Sequence, residues 1–243
     1  MNLLAFDTAT EQMSLALDLN GRVLQVEAAG GAQASATLIP AILALLAQGG
    51  VTLRELDAIA FGRGPGAFTG LRTACSVAQG LAFGAGKPVL PIDTLLAVAE
   101  DARAGRVDDL RVWAVMDARM DEVYAAHYAF AAGRWSVLAA PMLTTPERLS
   151  QRWRSDAQGP PECVAGSALA AFGDRLATAT AQRVPGALPR ACAMLPLAHA
   201  LWAQGGAMDA ALALPLYLRD KVAQTTAERE AARAAKDALE AAR

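Results

Sequence analysis

The segment Phe61-Gly62-Arg63-Gly64-Pro65-Gly66-Ala67-Phe68-Thr69-Gly70-Leu71-Arg72 constrains this chain more than any other. It joins a short apolar run, Asp57 to Phe61, to a helix-patterned run from about Ala67 to Phe83. Glycine and proline at such a junction serve one of two ends. They place backbone N–H groups around an anion at the start of the helix. Alternatively, they let the helix press on neighbouring backbone where a Cβ would not fit. The segment matches neither the P-loop, which ends in Gly-Lys-Ser/Thr, nor the dinucleotide-binding glycine spacing.

The flanking signals build a layered α/β structure around that junction. Residues 2–7 form a buried apolar run, and Met13 to Leu19 reads as a second strand. Asn20-Gly21 follows, a dipeptide suited to the positive φ angles of a tight hairpin, and Arg22 to Ala28 returns as a third strand. Leu38, Ile42, Leu45 and Leu46 recur at helical spacing before Gly49-Gly50. Val89 to Ile92 reads as a strand, and Asp93 or Thr94 caps a helix through Ala102. Three strands, helix, strand, helix, strand, helix imply an antiparallel entry and later parallel strands, with helices on the faces. This is the order of the actin-like ATPase (ribonuclease H-like) fold, an α/β fold of two related lobes with mixed sheets flanked by helices.

The charged stretch Arg103 to Arg111 marks a boundary. It divides an N-terminal lobe, 1–103, from a reduced second lobe, 104–222, and a helical or disordered tail, 223–243. The second lobe is expected to hold strands near 111–116, 122–130, 135–139 and 162–165, with a helix from Pro146, one capped by Ser167, and one over Leu195 to Ala203.

Composition narrows the function. Apolar residues make up 54% of the chain, enough for a sizeable core. The apolar runs break well short of the roughly 20 residues of a membrane span, and no secretory signal opens the chain. Cys75, Cys163 and Cys192 lie far apart, so reduced thiols in the cytoplasm are expected rather than disulfides or zinc. With 22 basic and 24 acidic residues and scattered arginines, the chain has no basic stripe for gripping nucleic acid by itself.

Asp7 ends the first strand, where ligands of α/β sheets bind. In a phosphoryl-transfer site it would hold hydrated magnesium while Thr8 and Thr10 bonded phosphate oxygens. Otherwise it closes a strand-end turn with its own backbone amides. Gly64, Gly66 and Thr69 belong to the same candidate phosphate site. Gly70, Ala74, Ala78 and Ala82 recur every four residues, a stripe small enough for close helix approach. The approaching helix is either the chain's own or a partner's. In the second case Leu71, Arg72, Leu38, Ile42 and Leu45 extend the interface, and an arginine at Ala74 or Ala78 blocks pairing without unfolding the chain. No metal-ligand set and no Gly-x-Ser-x-Gly nucleophile is visible. His127 and His199 read as packed or surface residues, and no catalytic residue is assigned.

Five segments resemble the TsaB (YeaZ) family over residues 1 to about 222. They are Phe6 to Thr10, Gly64 to Arg72, Pro91 to Leu95, Asp117 to Tyr124, and Pro215 to Asp220. The resemblance implies a non-catalytic subunit required for threonylcarbamoylation of adenosine 37 in tRNAs that read codons beginning with A. It implies pairing through the N-terminal helices with a TsaD-type subunit that carries a metal-binding His pair. A TsaE-type ATPase joins them, tRNA is held mainly by the partner, and the lone chain forms a homodimer. ATP and magnesium are used by the complex, with no cofactor bound by this chain alone. Ala67 stands where the family usually has Ser, and Ala34-Ser35-Ala36 lacks the His-Ser often seen there. Both departures weaken nucleotide binding. The other reading open at this point is an ATP-dependent phosphotransferase or ATPase of the actin-like superfamily, resting on Asp7 and the glycine loop.

Overall fold

A computed structural model of the chain describes residues 1–156 and 159–219. The first half contains β1 (Asn2–Asp7), β2 (Gln12–Leu19), β3 (Arg22–Ala29), α1 (Ala34–Gly49), β4 (Ala58–Gly64), α2 (Phe68–Ala85), β5 (Val89–Asp93) and α3 (Thr94–Arg103). The sheet order is β3-β2-β1-β4-β5. The β1–β2 and β2–β3 pairs are antiparallel; β1–β4 and β4–β5 are parallel. Asn20 and Gly21 take φ of 53° and 97°, and the turn closes with Leu19 opposite Arg22.

The second half contains β6 (Leu110–Asp117), β7 (Val123–Ala131), β8 (Arg134–Thr144), α4 (Pro146–Ser155), β9 (Cys163–Ala165), α5 (Ala168–Phe172), β10 (Gln182–Val184) and α6 (Ala191–Ala203). Its sheet, β8-β7-β6-β9-β10, repeats the first strand for strand. Antiparallel and parallel pairs fall at the same places. These two related lobes, each a mixed sheet flanked by helices, form an actin-like ATPase fold. The second lobe is the reduced one: β9 and β10 have 3 residues each, where β4 and β5 have 7 and 5.

One face of the first sheet is covered by α1 and α2. Leu4, Phe6, Leu15, Leu17, Ile59 and Phe61 pack with Leu38, Ile42, Leu45, Ala74, Ala78 and Ala82. Each fully buried Leu, Ile or Phe contributes about 1.5–3 kcal/mol. The small-residue stripe therefore faces the chain's own sheet. Of the residues expected at a partner surface, Leu38, Ile42, Leu45, Gly70, Leu71, Ala74 and Ala78 are buried, and Arg72 is exposed. An arginine at Ala74 or Ala78 would disrupt the core rather than block pairing, because no space exists for a long charged side chain there.

The other face is covered by a helix from the opposite half of the chain. Ala191, Met194, Leu195 and Ala198 of α6 pack on Leu3, Ala5, Ala58, Ala60 and Leu90 of the first sheet. In return, Leu95, Val98, Ala99 and Ala102 of α3 pack on Val112, Ala114 and Tyr128 of the second. Residues 191–198, Ala210 and Ala213, expected in the second lobe at 104–222, thus pack on the first. Each sheet has two apolar faces; α6, far along the chain, covers the second face of the first sheet, and α3, which follows β5, packs on the second sheet. Among the described residues, no helix is long and apolar enough to cross a membrane. The tail at 223–243 lies outside the described residues.

Candidate functional site

The glycine loop packs against the end of β1. Asp7 is only 1% exposed. One carboxylate oxygen accepts the Ala9 N–H at 2.6 Å, and the other accepts the Thr94 hydroxyl at 2.9 Å. Thr94 Oγ1 in turn accepts the Gly64 N–H at 3.1 Å. A Cβ at Gly62 would fall 1.8 Å from the Asp7 carboxylate, so only glycine fits above it. The buried Thr8 donates its hydroxyl to the Gly70 carbonyl at 2.8 Å, and a Cβ at Gly70 would fall 1.9 Å from the Thr8 carbonyl oxygen. Ala67 N–H donates to Ala9 O at 2.8 Å, while a Cβ at Gly66 would lie 2.5 Å from the Ala9 Cβ. The loop serves close packing of α2 on β1, the second of its two expected uses. Burial pushes the Asp7 carboxyl up to about 6, against the lowering effect of its bonds from Ala9 and Thr94.

Beside this junction a cleft of about 620 Å³ separates the lobes. Thr10, Gly66 and Phe68 line one wall; Arg119, Tyr124 and Ser167 line the other. Arg119 Nη2 reaches Glu11 Oε1 across the cleft at 2.9 Å. Of the expected phosphate residues, Thr10 and Gly66 line the cleft, whereas Asp7, Thr8, Gly64 and Thr69 do not. Asp7 and Thr8 are consumed by the packing just described. Gly64, at φ +112°, carries the backbone beneath Leu216, whose carbonyl oxygen would lie 2.9 Å from a Cβ there. Thr69 is exposed on the first turn of α2 and offers its carbonyl to the Thr73 hydroxyl. Thr10 spends its hydroxyl on the Gln12 backbone, donating at 3.0 Å and accepting at 3.1 Å. Ala67 contributes no side-chain cap to α2.

Two quoted motifs that received no role from sequence meet at this cleft. The extended segment 213–219 runs from α2 to the turn between β6 and β7. Gln79 donates to Ala213 O at 3.1 Å, and Leu216 N–H to Arg63 O at 2.7 Å. Tyr217 accepts from Arg72 Nε at 3.1 Å and packs on Phe68, over which the Arg72 guanidinium lies 3.7 Å from the ring centroid. Arg219 donates to the Ala118 carbonyl at 3.0 Å and pairs with Glu122 at 2.5 Å. The turn it grips is unusual. Arg119, Met120 and Asp121 take φ of 61°, 54° and 62°, a left-handed run that costs about 1–2 kcal/mol per residue. Asp117 accepts the Arg119 N–H at 2.9 Å, and Arg175 pairs with Asp121 at 2.5 Å and with Glu147 at 2.8 Å. The Asp-Ala-Arg-Met segment is thus a left-handed turn fixed by the strap at 213–219. Pro215 and Arg219 were its sequence signal. Ser167, expected to cap α5, instead accepts the Asp117 N–H at 3.2 Å.

The histidines lie elsewhere. His127 stacks on Trp113 with centroids 4.6 Å apart, and burial pushes its pKa down to about 4. His199 Nε2 sits 2.7 Å from Asp18. Among the described residues, no three His, Cys, Asp or Glu side chains converge as metal donors.

Known proteins share this architecture and sequence. The family described as "TsaD: tRNA N6-adenosine threonylcarbamoyltransferase" matches residues 29–227. The Haemophilus influenzae tRNA threonylcarbamoyladenosine biosynthesis protein TsaB is 34% identical over 233 residues, which cover 91% of this chain and 95% of that protein. The Escherichia coli K12 protein of the same name is 35% identical over 227 residues, covering 92% and 96%. The solved structure of YeaZ from Pseudomonas aeruginosa superposes with a TM-score of 0.80 at 38% identity, covering 89% of this chain and 99% of that one. Matched in sequence and in three dimensions over most of its length, the chain belongs to the TsaB (YeaZ) family.

Proposed function

We propose that this chain works in tRNA threonylcarbamoyladenosine biosynthesis as the non-catalytic partner of a TsaD-type subunit, required for modification of adenosine 37. The carrying observation is the outward face of α1 and α2. Behind their buried stripe, Ile39 and Leu43 are 43% and 51% exposed, and Phe83 is 85% exposed. A Cβ added at Gly80 or Gly84 meets nothing within 4 Å, so the backbone of α2 is open to a second helix. Large apolar side chains on such a surface mark a docking site. The interface is therefore the opposite side of the two helices from the stripe.

The same face joins two copies when the chain is alone. The partner holds most of the tRNA, since a net charge of -2 gives this chain little pull on phosphates. The complex, joined by a TsaE-type ATPase in the cytoplasm, uses ATP and magnesium, and this chain brings no cofactor of its own. A solitary ATPase would need Asp7 in the cleft, and that carboxylate is buried under the glycine loop.

Co-purification with the TsaD-type subunit of the same organism tests this reading. Leu43→Arg and Phe83→Glu should each weaken association about tenfold or more at unchanged melting temperature. No association of the folded wild-type proteins would sink the pairing. Full association of both variants would sink the assigned face.

A further inference from the structure

A second cavity, of about 360 Å³, opens between the lobes and shares no lining residue with the first cleft. Its floor is apolar, with Ile92 of β5, Leu96 of α3, and Leu197 and Leu201 of α6. One wall is the β7–β8 hairpin. Ala132 and Gly133 turn that hairpin at φ of 50° and 75°, which brings Arg134 and Trp135 to the cavity.

The charges around it are matched, with one exception. Arg63 Nε lies 2.5 Å from Asp93. Glu100, 6% exposed, accepts the Trp135 indole N–H at 2.7 Å and pairs with Arg103 at 2.5 Å. The Arg103 guanidinium also lies over Phe130, 4.3 Å from the ring centroid. The exposed Arg134 has no hydrogen-bond or ion-pair partner for its side chain among the described residues.

We propose that this cavity binds a small organic monoanion, with its apolar body on Leu96, Leu197, Leu201 and Trp135 and its acid group on Arg134. Each carboxylate in the wall already carries an arginine, so a cationic ligand gains nothing there. An anion takes up the one unmatched charge, and a guanidinium meets a planar acid with two parallel N–H donors. The volume stands at the small end of the roughly 300–1,000 Å³ of ligand pockets, which suits a single-ring body. Carboxylates and phosphate monoesters share this chemistry.

The test uses the full chain labelled with ¹⁵N and reads the indole N–H signal of Trp135, assigned through Trp135→Phe. The probes are 4-phenylbutyrate, phenyl phosphate and the cationic control 4-phenylbutylamine. At least one acid should shift the signal saturably, with the amine about tenfold weaker or more. The tighter acid names the head group. Arg134→Ala should weaken that acid about tenfold or more, and Arg134→Lys should retain part of the affinity. An unchanged melting temperature shows that these rim variants remain folded. No saturable shift with either acid, equal binding of the amine, or full affinity in Arg134→Ala would each overturn the proposal.

Discussion

The two lobes end their first strands alike and then diverge. β1 ends at Asp7 and β6 at Asp117, and each aspartate accepts the N–H two residues on, from Ala9 at 2.6 Å and Arg119 at 2.9 Å. Each lobe then sends a parallel strand into a helix with a glycine pressed on the C-terminal end of its first strand, on the residue just past β1 in one lobe and within β6 in the other. A Cβ at Gly70 would fall 1.9 Å from Thr8 O, and one at Gly166 would fall 2.2 Å from Val115 O. The helix at that point is 18 residues long in α2 and only 5 in α5. The close approach belongs to the crossover itself, whereas helix length is what each lobe varies. Long helices give the first lobe its outward face. Short ones leave the second lobe free to hold the left-handed turn over the cleft. The aspartates diverge too: Asp7 is buried beneath the loop, while the Asp117 side chain is 26% exposed and lies 3.7 Å from Arg119.

The largest expected effect compares the two glycines. Gly70→Ala should cost about 3 kcal/mol or more, because the clash is with the buried backbone just past the end of β1, under a long helix. Gly166→Ala should cost about 2 kcal/mol, since its short helix can shift even though φ is +120°. Urea unfolding of both variants decides the order, and a reversal breaks the comparison.

Next comes Asp7. Its folded pKa of about 6 lies above the ordinary value of 3.8, so the folded state binds the proton more tightly. Its contribution to stability is greatest below about pH 4 and is lost as pH rises through about 6, a span on the order of 3 kcal/mol. Asp7→Asn should flatten that slope while keeping an oxygen for the Ala9 N–H. An unaltered slope would show that another group carries it.

The smallest effect concerns the strap. Arg219→Ala removes its bonds to Ala118, Arg119 and Glu122 and should cost about 1–2 kcal/mol. Hydrogen exchange at residues 118–122 should accelerate while exchange in β1 stays slow.

The first lobe was legible because its signals are long and redundant. Strand alternation, Asn20-Gly21 and the helical recurrence of Leu38, Ile42 and Leu45 agree with one another. Periodicity also found the stripe from Gly70 to Ala82, yet it could not say what lies opposite, because a small-residue face suits a sheet as well as a partner helix. Asp7 was legible as a strand-end carboxylate; its burial depends on Thr94, 87 residues away. β9 was expected at 162–165, whereas β10, with 3 residues, is too short for alternation to register. The strap at 213–219 is extended and aperiodic, so Pro215 and Arg219 marked it in sequence while its bonds to α2 and the β6–β7 turn had no periodic signal. The destination of α6 was equally hidden, because a helix apolar on most sides fits either sheet.

The exchange of α3 and α6 between sheets fixes the order in which the chain can be sheltered during synthesis. β1 is made first, but most of the cover over Leu3 and Ala5, beyond that of Ala97, comes from Ala191 to Ala198, which leave the ribosome last of that cluster. Until then the nascent protein displays a largely bare apolar sheet surface, the kind of surface that draws chaperones and promotes aggregation. The earliest residues thus wait for nearly the latest, and neither half can mature as an independent unit.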